Sequence, residues 1–187
     1  MYTPPPGEAY VEPIILLDGN KLGVVDNFIY LGSKLSNDGS LDAEINNRIA
    51  KASVAFGKLE KRVWLDHDIT VNTKLSVYST CVLSSLFYGS KTWTTYRRHI
   101  KRLERFHQNC LRGIRKIHWS SFTPETLVLE KARTSSIEKK IILNQMRWLG
   151  HVVRIEEDRL PKQLFYGELI IGKRPQHKPK KRFKDVQ

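Results

Sequence analysis

The chain has only two cysteines in 187 residues, Cys81 and Cys110, and no CxxC pair. A disulfide framework is excluded, and a four-ligand zinc site would have to draw on histidines scattered over the whole chain. No run of about eighteen apolar residues is present, which leaves no candidate membrane span. The opening MYTPPPGEAY lacks both the charged start and the apolar centre of a signal peptide. A soluble, intracellular protein without a membrane partner is expected. Catalytic signatures are missing as well: there is no GxxxxGK(S/T) loop, no GxGxxG after a strand, no GxSxG elbow and no HExxH. Paired strand carboxylates of the kind a two-metal polymerase or nuclease needs are not visible. No catalytic residue, metal or cofactor is therefore assigned.

Acids are the scarce charge. Against 32 Lys and Arg stand 19 Asp and Glu, a net charge of +13 that concentrates polyanions near the surface. Nucleic acid is the leading partner class. Two small acidic groups remain, Asp66 and Asp68 around His67 and the run Glu156, Glu157 and Asp158. Either could hold a divalent cation, but loop acids between helices are more often solvated caps. His107 and Cys110 lie three apart on a predicted helix. That spacing is compatible with shared ligation and also with plain packing on an apolar face.

Residues 1–13 carry Pro4, Pro5, Pro6 and Pro13 and read as an extended arm. Two short apolar runs, Ile14 to Leu17 and Leu22 to Val25, flank Asp18, Gly19 and Asn20, a hairpin signal, and Phe28 to Leu31 adds a third strand ended by Gly32. The 14–39 stretch is thus a short antiparallel β element. From Ser40 the apolar residues Ile45, Ile49, Ala52, Phe56, Leu59 and Val63 recur at helical spacing, with Arg48, Lys51, Lys58, Lys61 and Arg62 between them. Val71 to Tyr88, poor in charge after Lys74, suits a helix buried on most sides, ended by Gly89.

Arg97 to Trp119 forms the most polarised helix. Ile100, Leu103, Phe106, His107, Cys110, Leu111, Ile114 and Ile117 share one side, and Arg98, Lys101, Arg102, Arg105, Arg112 and Lys116 the other. Glu104 is the only acid there, so internal i,i+4 pairing cannot neutralise the cationic face. Pro124 opens a short helix to about Lys131, and Ser135 with Glu138 forms a capping box for a helix carrying Ile137, Ile141, Gln145, Trp148, Leu149 and Val152 on one face. The 40–155 stretch is then a four- to five-helix bundle. Residues 156–187 read as an irregular segment, broken at Pro161, and a basic tail with Lys173, Arg174, Lys178, Lys180, Lys181, Arg182 and Lys184. The predicted fold is mainly α: a small N-terminal β element, the bundle and the tail. Tyr30, Trp93, Tyr96 and Trp119 lie near the basic residues, where they could stack on bases or anchor helices against one another.

The run FIYLGSKLSNDGSLDAEINNRIAKASVAFGKL, followed by LFYGSKTWTTY, KRLERFHQNCLRGI, RWLGHVVRIEEDRLPKQLFYGEL and GKRPQHKPKKRFKD, resembles the C-terminal part of the reverse transcriptase of non-LTR (LINE-type) retrotransposons. The order and spacing of these segments carry the resemblance over nearly the whole chain. It implies that Phe28, Tyr30, Leu31 and Gly32 form a primer grip and that the helices after them are the thumb and its continuation. It further implies that the polymerase aspartates and the endonuclease precede the matched part, so the chain is expected to begin downstream of the chemistry. Lys91 and Gly113 depart from the usual Glu and from a larger residue. Three readings follow. The first is a truncated, thumb-like polypeptide that binds RNA–DNA or DNA duplex through its phosphates. The second is a helical interaction module whose KPKKRFK tail directs nuclear import. The third is an expressed remnant without function, since the palm strands that would flank its hairpin are absent.

Overall fold

The computed structural model describes residues 14–37 and 39–167; the Pro-rich arm and the basic tail lie outside the described residues. Two hairpins come first. β1 (Leu16–Leu17) and β2 (Asn20–Lys21) pair antiparallel across Asp18 and Gly19, whose φ values of 50° and 79° are those of a two-residue primed turn. β3 (Asn27–Tyr30) pairs with β4 (Ser33–Ser36), with Tyr30 opposite Ser33. Its turn is the same kind, built from Leu31 at φ 47° and Gly32 at φ 81°. The expected third strand therefore belongs to a second two-stranded sheet rather than extending the first. Leucine rarely occupies positive φ, so Leu31 concealed this turn.

The helices follow the expected order. α1 (Asp42–Lys58) buries Ile45 and Ala52 and runs into a π-helical turn, Glu60–Trp64. The next segment is one helical stretch in three parts: α2 (Val71–Val77), a π-helical section (Tyr78–Leu83) and α3 (Ser84–Leu86). Tyr78, Val82, Leu83 and Leu86 are buried, but Ser76, Ser79, Thr80, Cys81 and Ser84 are exposed. This stretch is thus amphipathic with a hydroxyl-rich outer face, not buried on most sides. Gly89, in the left-handed region at φ 78°, ends it.

α4 (Arg97–Arg115) crosses the middle, touching α1 and α2 on one side and α5 (Glu125–Lys131) and α6 (Ile137–Arg154) on the other. Every apolar residue assigned to its inner face is buried or half-buried. The helix stops at Arg115 rather than Trp119. Lys116 is left-handed at φ 53°, the Lys116 amide donates to the Gly113 carbonyl at 3.2 Å, and the Ile117 amide donates to that of Arg112 at 2.9 Å. Those two bonds close a Schellman end, at a site where glycine is the usual residue. α6 starts one residue later than the expected capping box: the Ser136 hydroxyl accepts from the Lys139 amide. A short α7 (Leu160–Tyr166), with Pro161 in its first turn, occupies part of the stretch expected to be irregular. Proline costs nothing there because the amide it lacks has no partner in a first turn. Among the described residues, no helix is long and apolar enough to cross a membrane.

Polar groups are built into this core. Trp64 donates its indole N–H to the Phe56 carbonyl at 2.7 Å, and the buried Lys74 ammonium caps the Trp64 and Asp66 carbonyls at 3.1 and 2.5 Å. Gly113 faces outward on α4, where an added Cβ would meet only the Phe56 ring, at 4.0 Å. Gly113→Ala should stabilise the protein by up to about 1 kcal/mol, read as a rise of about 2–4 °C in a thermal melt. A fall in Tm would show that α4 needs glycine at this point.

Candidate nucleic-acid interface

α1 carries the two candidate surfaces on different faces. Towards the hairpin it presents Glu44 and Arg48, both buried, joined by an ion pair at 2.6 Å. The Arg48 guanidinium also donates to the Gly32 carbonyl at 2.5 Å and to the Ser33 hydroxyl at 3.2 Å, and lies 4.5 Å from the Tyr88 ring centre. Glu44 accepts the Lys34 amide at 2.5 Å. Lys51 adds a second bond to the Gly32 carbonyl at 3.1 Å, and the Tyr88 hydroxyl donates to that of Leu31 at 2.9 Å. Arg48 is thus a buried clamp, not a member of a solvated cationic face. The i,i+4 spacing of Glu44 and Arg48 was the sequence signal for it, since such a pair neutralises itself locally.

This clamp holds the backbone of Leu31 and Gly32 and leaves the flanking rings outside. Phe28 and Tyr30 lie side by side, ring centres 6.4 Å apart and planes 25° apart, and both are more than half exposed. Of the four hairpin residues singled out from the sequence, two offer side chains and two are fixed through their carbonyls.

Towards α4, α1 presents Asp42 and Asn46. Arg98 grips the Asp42 carboxylate with two nitrogens, at 2.6 and 3.3 Å, and its hydrogen bonds hold that carboxyl below the usual carboxylate range. His99, fully buried, accepts the Tyr96 amide at Nδ1, so Nε2 carries the proton that faces Asp42 at 3.2 Å. Arg102 donates to the Asn46 side-chain oxygen, and Arg112 to the Thr123 carbonyl at 2.6 Å. These neutral acceptors orient the guanidiniums without cancelling their charge. The side chains of Lys101, Arg105 and Lys116 are exposed and make no hydrogen bond or ion pair among the described residues. Of the six cations assigned to this stripe, only Arg98 is ion-paired with a neighbour; Arg97, beside it on α4, pairs with Glu138 at 3.6 Å.

Glu104 turns away from this stripe. Its carboxylate accepts the Ile137 amide at 2.8 Å, placing negative charge at the start of α6, and burial there raises its pKa. Beside it, a cleft of about 580 Å³ opens between α4 and the starts of α5 and α6. Its lining includes Lys101, Arg105 and Arg112 but also Glu104, Glu125 and Glu138. Facing carboxylates repel phosphate, so a polyanion fits the outer edge of the stripe better than the floor of the cleft.

The aromatic residues divide. Trp93, like Trp64, is an internal anchor at no more than 5 % exposure, and Trp148 is half-buried against Phe165. Tyr96 lies under the Arg98 guanidinium at 5.2 Å. Trp119 instead stands out at 76 % exposure, and Phe122, which sequence reasoning passed over, at 85 %. The His107–Cys110 pair is buried: burial pushes the Cys110 thiol up to about 12 and lowers His107 to about 4, the protonation states of packed rather than reactive groups. Among the described residues no group of three or more His, Cys, Asp or Glu side chains is placed to hold a metal ion. The tail cations from Lys173 to Lys184 lie outside the described residues.

No family model matches this chain, and no solved structure does. The chain is 26% identical over 151 residues to an uncharacterized transposon-derived protein of Caenorhabditis elegans, a match covering 74% of this chain and 50% of that protein. The chain therefore spans about half the length of the curated relative it matches, and its likeness is to a protein of transposon origin.

Proposed function

We propose that this chain is the thumb-like part of a non-LTR retrotransposon reverse transcriptase, and that it grips RNA–DNA or DNA duplex through phosphates without polymerase chemistry of its own. The similarity to a transposon-derived protein supports the origin. The observation that carries the binding reading is the stripe along α4, where the side chains of Lys101, Arg102, Arg105, Arg112 and Lys116 have no ion-pair partner among the described residues while Glu104 is engaged at α6. Phe28 and Tyr30 on the clamped hairpin would face the primer end.

A salt series with an RNA–DNA hybrid tests this. Contacts from five cations predict a log–log slope of about −4 to −5, because each neutralised phosphate releases close to one counterion. Sequence preference should be weak. Absent binding at low salt, or affinity indifferent to salt, would overturn the proposal. Primer extension by the purified chain, with contaminating polymerase excluded, would overturn the assignment of no chemistry.

A second reading, a helical interaction module with a nuclear-import tail, is favoured by the apolar surface of the hairpins, where Ile14, Leu16, Leu17, Val25 and Ile29 are all more than half exposed. Deleting residues 172–187 separates the two. Loss of import with duplex binding intact favours the second.

A further inference from the structure

We propose that Trp119 and Phe122 form a stacking platform for unpaired nucleobases, placed where the α4 cationic stripe ends. They are the two most exposed large apolar side chains among the described residues, at 76 % and 85 %. The protein buries tryptophan where it has a partner for it, as Trp64 and Trp93 show at 5 % and 4 %. Their exposure is also held in place by structure. Trp119–Ser121 is a 3-10 turn closed by bonds from the Ser121 amide to the His118 carbonyl at 3.1 Å and from the Phe122 amide to that of Trp119 at 3.3 Å. The Ser121 hydroxyl donates to the His118 carbonyl at 2.7 Å and lies 2.7 Å from the Thr123 hydroxyl, while His118 Nδ1 lies 2.7 Å from the Ser120 hydroxyl. Phe122 occupies the left-handed region at φ 46°, a conformation that costs an aromatic residue energy and returns little buried area here.

The choice of occupant follows from charge. No acid occurs between Arg105 and Pro124, a stretch that holds Arg112, Arg115, Lys116 and His118. Arg112 joins stripe and platform physically through its 2.6 Å bond to the Thr123 carbonyl, next to Phe122. From Lys101 to Arg112 the stripe runs about 17 Å along the helix axis. A strand whose phosphates follow it would bring its bases to the two rings. Aromatic faces joined to a cationic track are the pattern of single-strand binding, in which every base offers a π-face and sequence matters little.

This inference rests on the nucleic-acid reading above and is tested so that the two can fail separately. The full chain is titrated at low salt with a short oligothymidylate and with an abasic oligomer of the same length and charge. The expected result is tighter binding of oligothymidylate and quenching of Trp119 fluorescence. The double substitution Trp119→Ala with Phe122→Ala should weaken oligothymidylate binding about tenfold or more and leave the abasic oligomer unchanged. Trp119→Phe, which keeps a ring, should recover most of the loss, and a thermal melt shows whether each variant is folded. Equal loss for both oligomers, no loss for either, or, in a parallel titration with phosphatidylserine vesicles, a loss seen with the vesicles alone would overturn the platform. Binding of duplex and abasic oligomer without preference for bases removes this inference alone. Failure to bind any of them removes both.

Discussion

Replacing Arg48 with alanine should lower the unfolding free energy by about 3–5 kcal/mol, because the substitution leaves a buried carboxylate without its partner. Glu44 and Arg48 are 3 % and 4 % exposed, so water cannot replace what is lost. Three further contacts vanish with the guanidinium: the 2.5 Å bond to the Gly32 carbonyl, the 3.2 Å bond to the Ser33 hydroxyl and the packing over Tyr88. Urea unfolding measures the change. Arg48→Lys should recover little, since one ammonium cannot reproduce a planar fork that serves a carboxylate, a carbonyl and a ring together. Arg48→Met with Glu44→Leu should be milder than Arg48→Ala alone, because no unpaired charge remains. A loss below about 1 kcal/mol for Arg48→Ala would mean that the cluster is solvated and that the β3–β4 hairpin is held by other contacts.

Acidification should destabilise the protein by about 3 kcal/mol through His107 alone. The ring is fully buried, stacks on Tyr78 at 5.7 Å and places Nδ1 2.8 Å from the Tyr78 hydroxyl. Burial first, then the charge of Lys140, lowers its pKa from 6.5 to about 4, with the Ser135 backbone offsetting part of the shift. The unfolded chain therefore takes up a proton near pH 6.5 that the folded protein refuses until about pH 4, and stability falls across that interval as pH drops. Burial lowers the pKa of His99 as well, with the same sign. Glu104, whose pKa burial raises, acts in the opposite direction at the acid end. His107→Gln, which keeps a polar partner for Tyr78 without a titrating group, should flatten the profile between pH 6.5 and 4. An unchanged pH dependence in that variant would show that other groups control acid unfolding.

Much of the architecture was legible because it is written at short range. Helical spacing placed Ile45, Ala52, Leu103, Leu111 and Ile141 inside, and an Asp-Gly pair placed the first turn. The second turn escaped notice because Leu31 takes a conformation usually left to glycine or asparagine. The end of α4 was misplaced for a similar reason: Lys116 stands in a left-handed cap with no glycine to mark it.

By itself, then, the sequence determined the helical order, the inner faces and the excess of positive charge, since periodicity and composition depend on neighbours along the chain. It could not decide which cations stay available. Arg48 and Lys51 look alike as basic residues on one helix, yet Arg48 is buried between Glu44, Gly32 and Tyr88 while Lys51 remains exposed. Trp93 and Trp119 look alike as tryptophans beside basic residues, yet one is an internal anchor and the other stands in solvent. Only the tertiary structure settles such cases, because burying a charge or a ring requires partners brought from elsewhere in the chain.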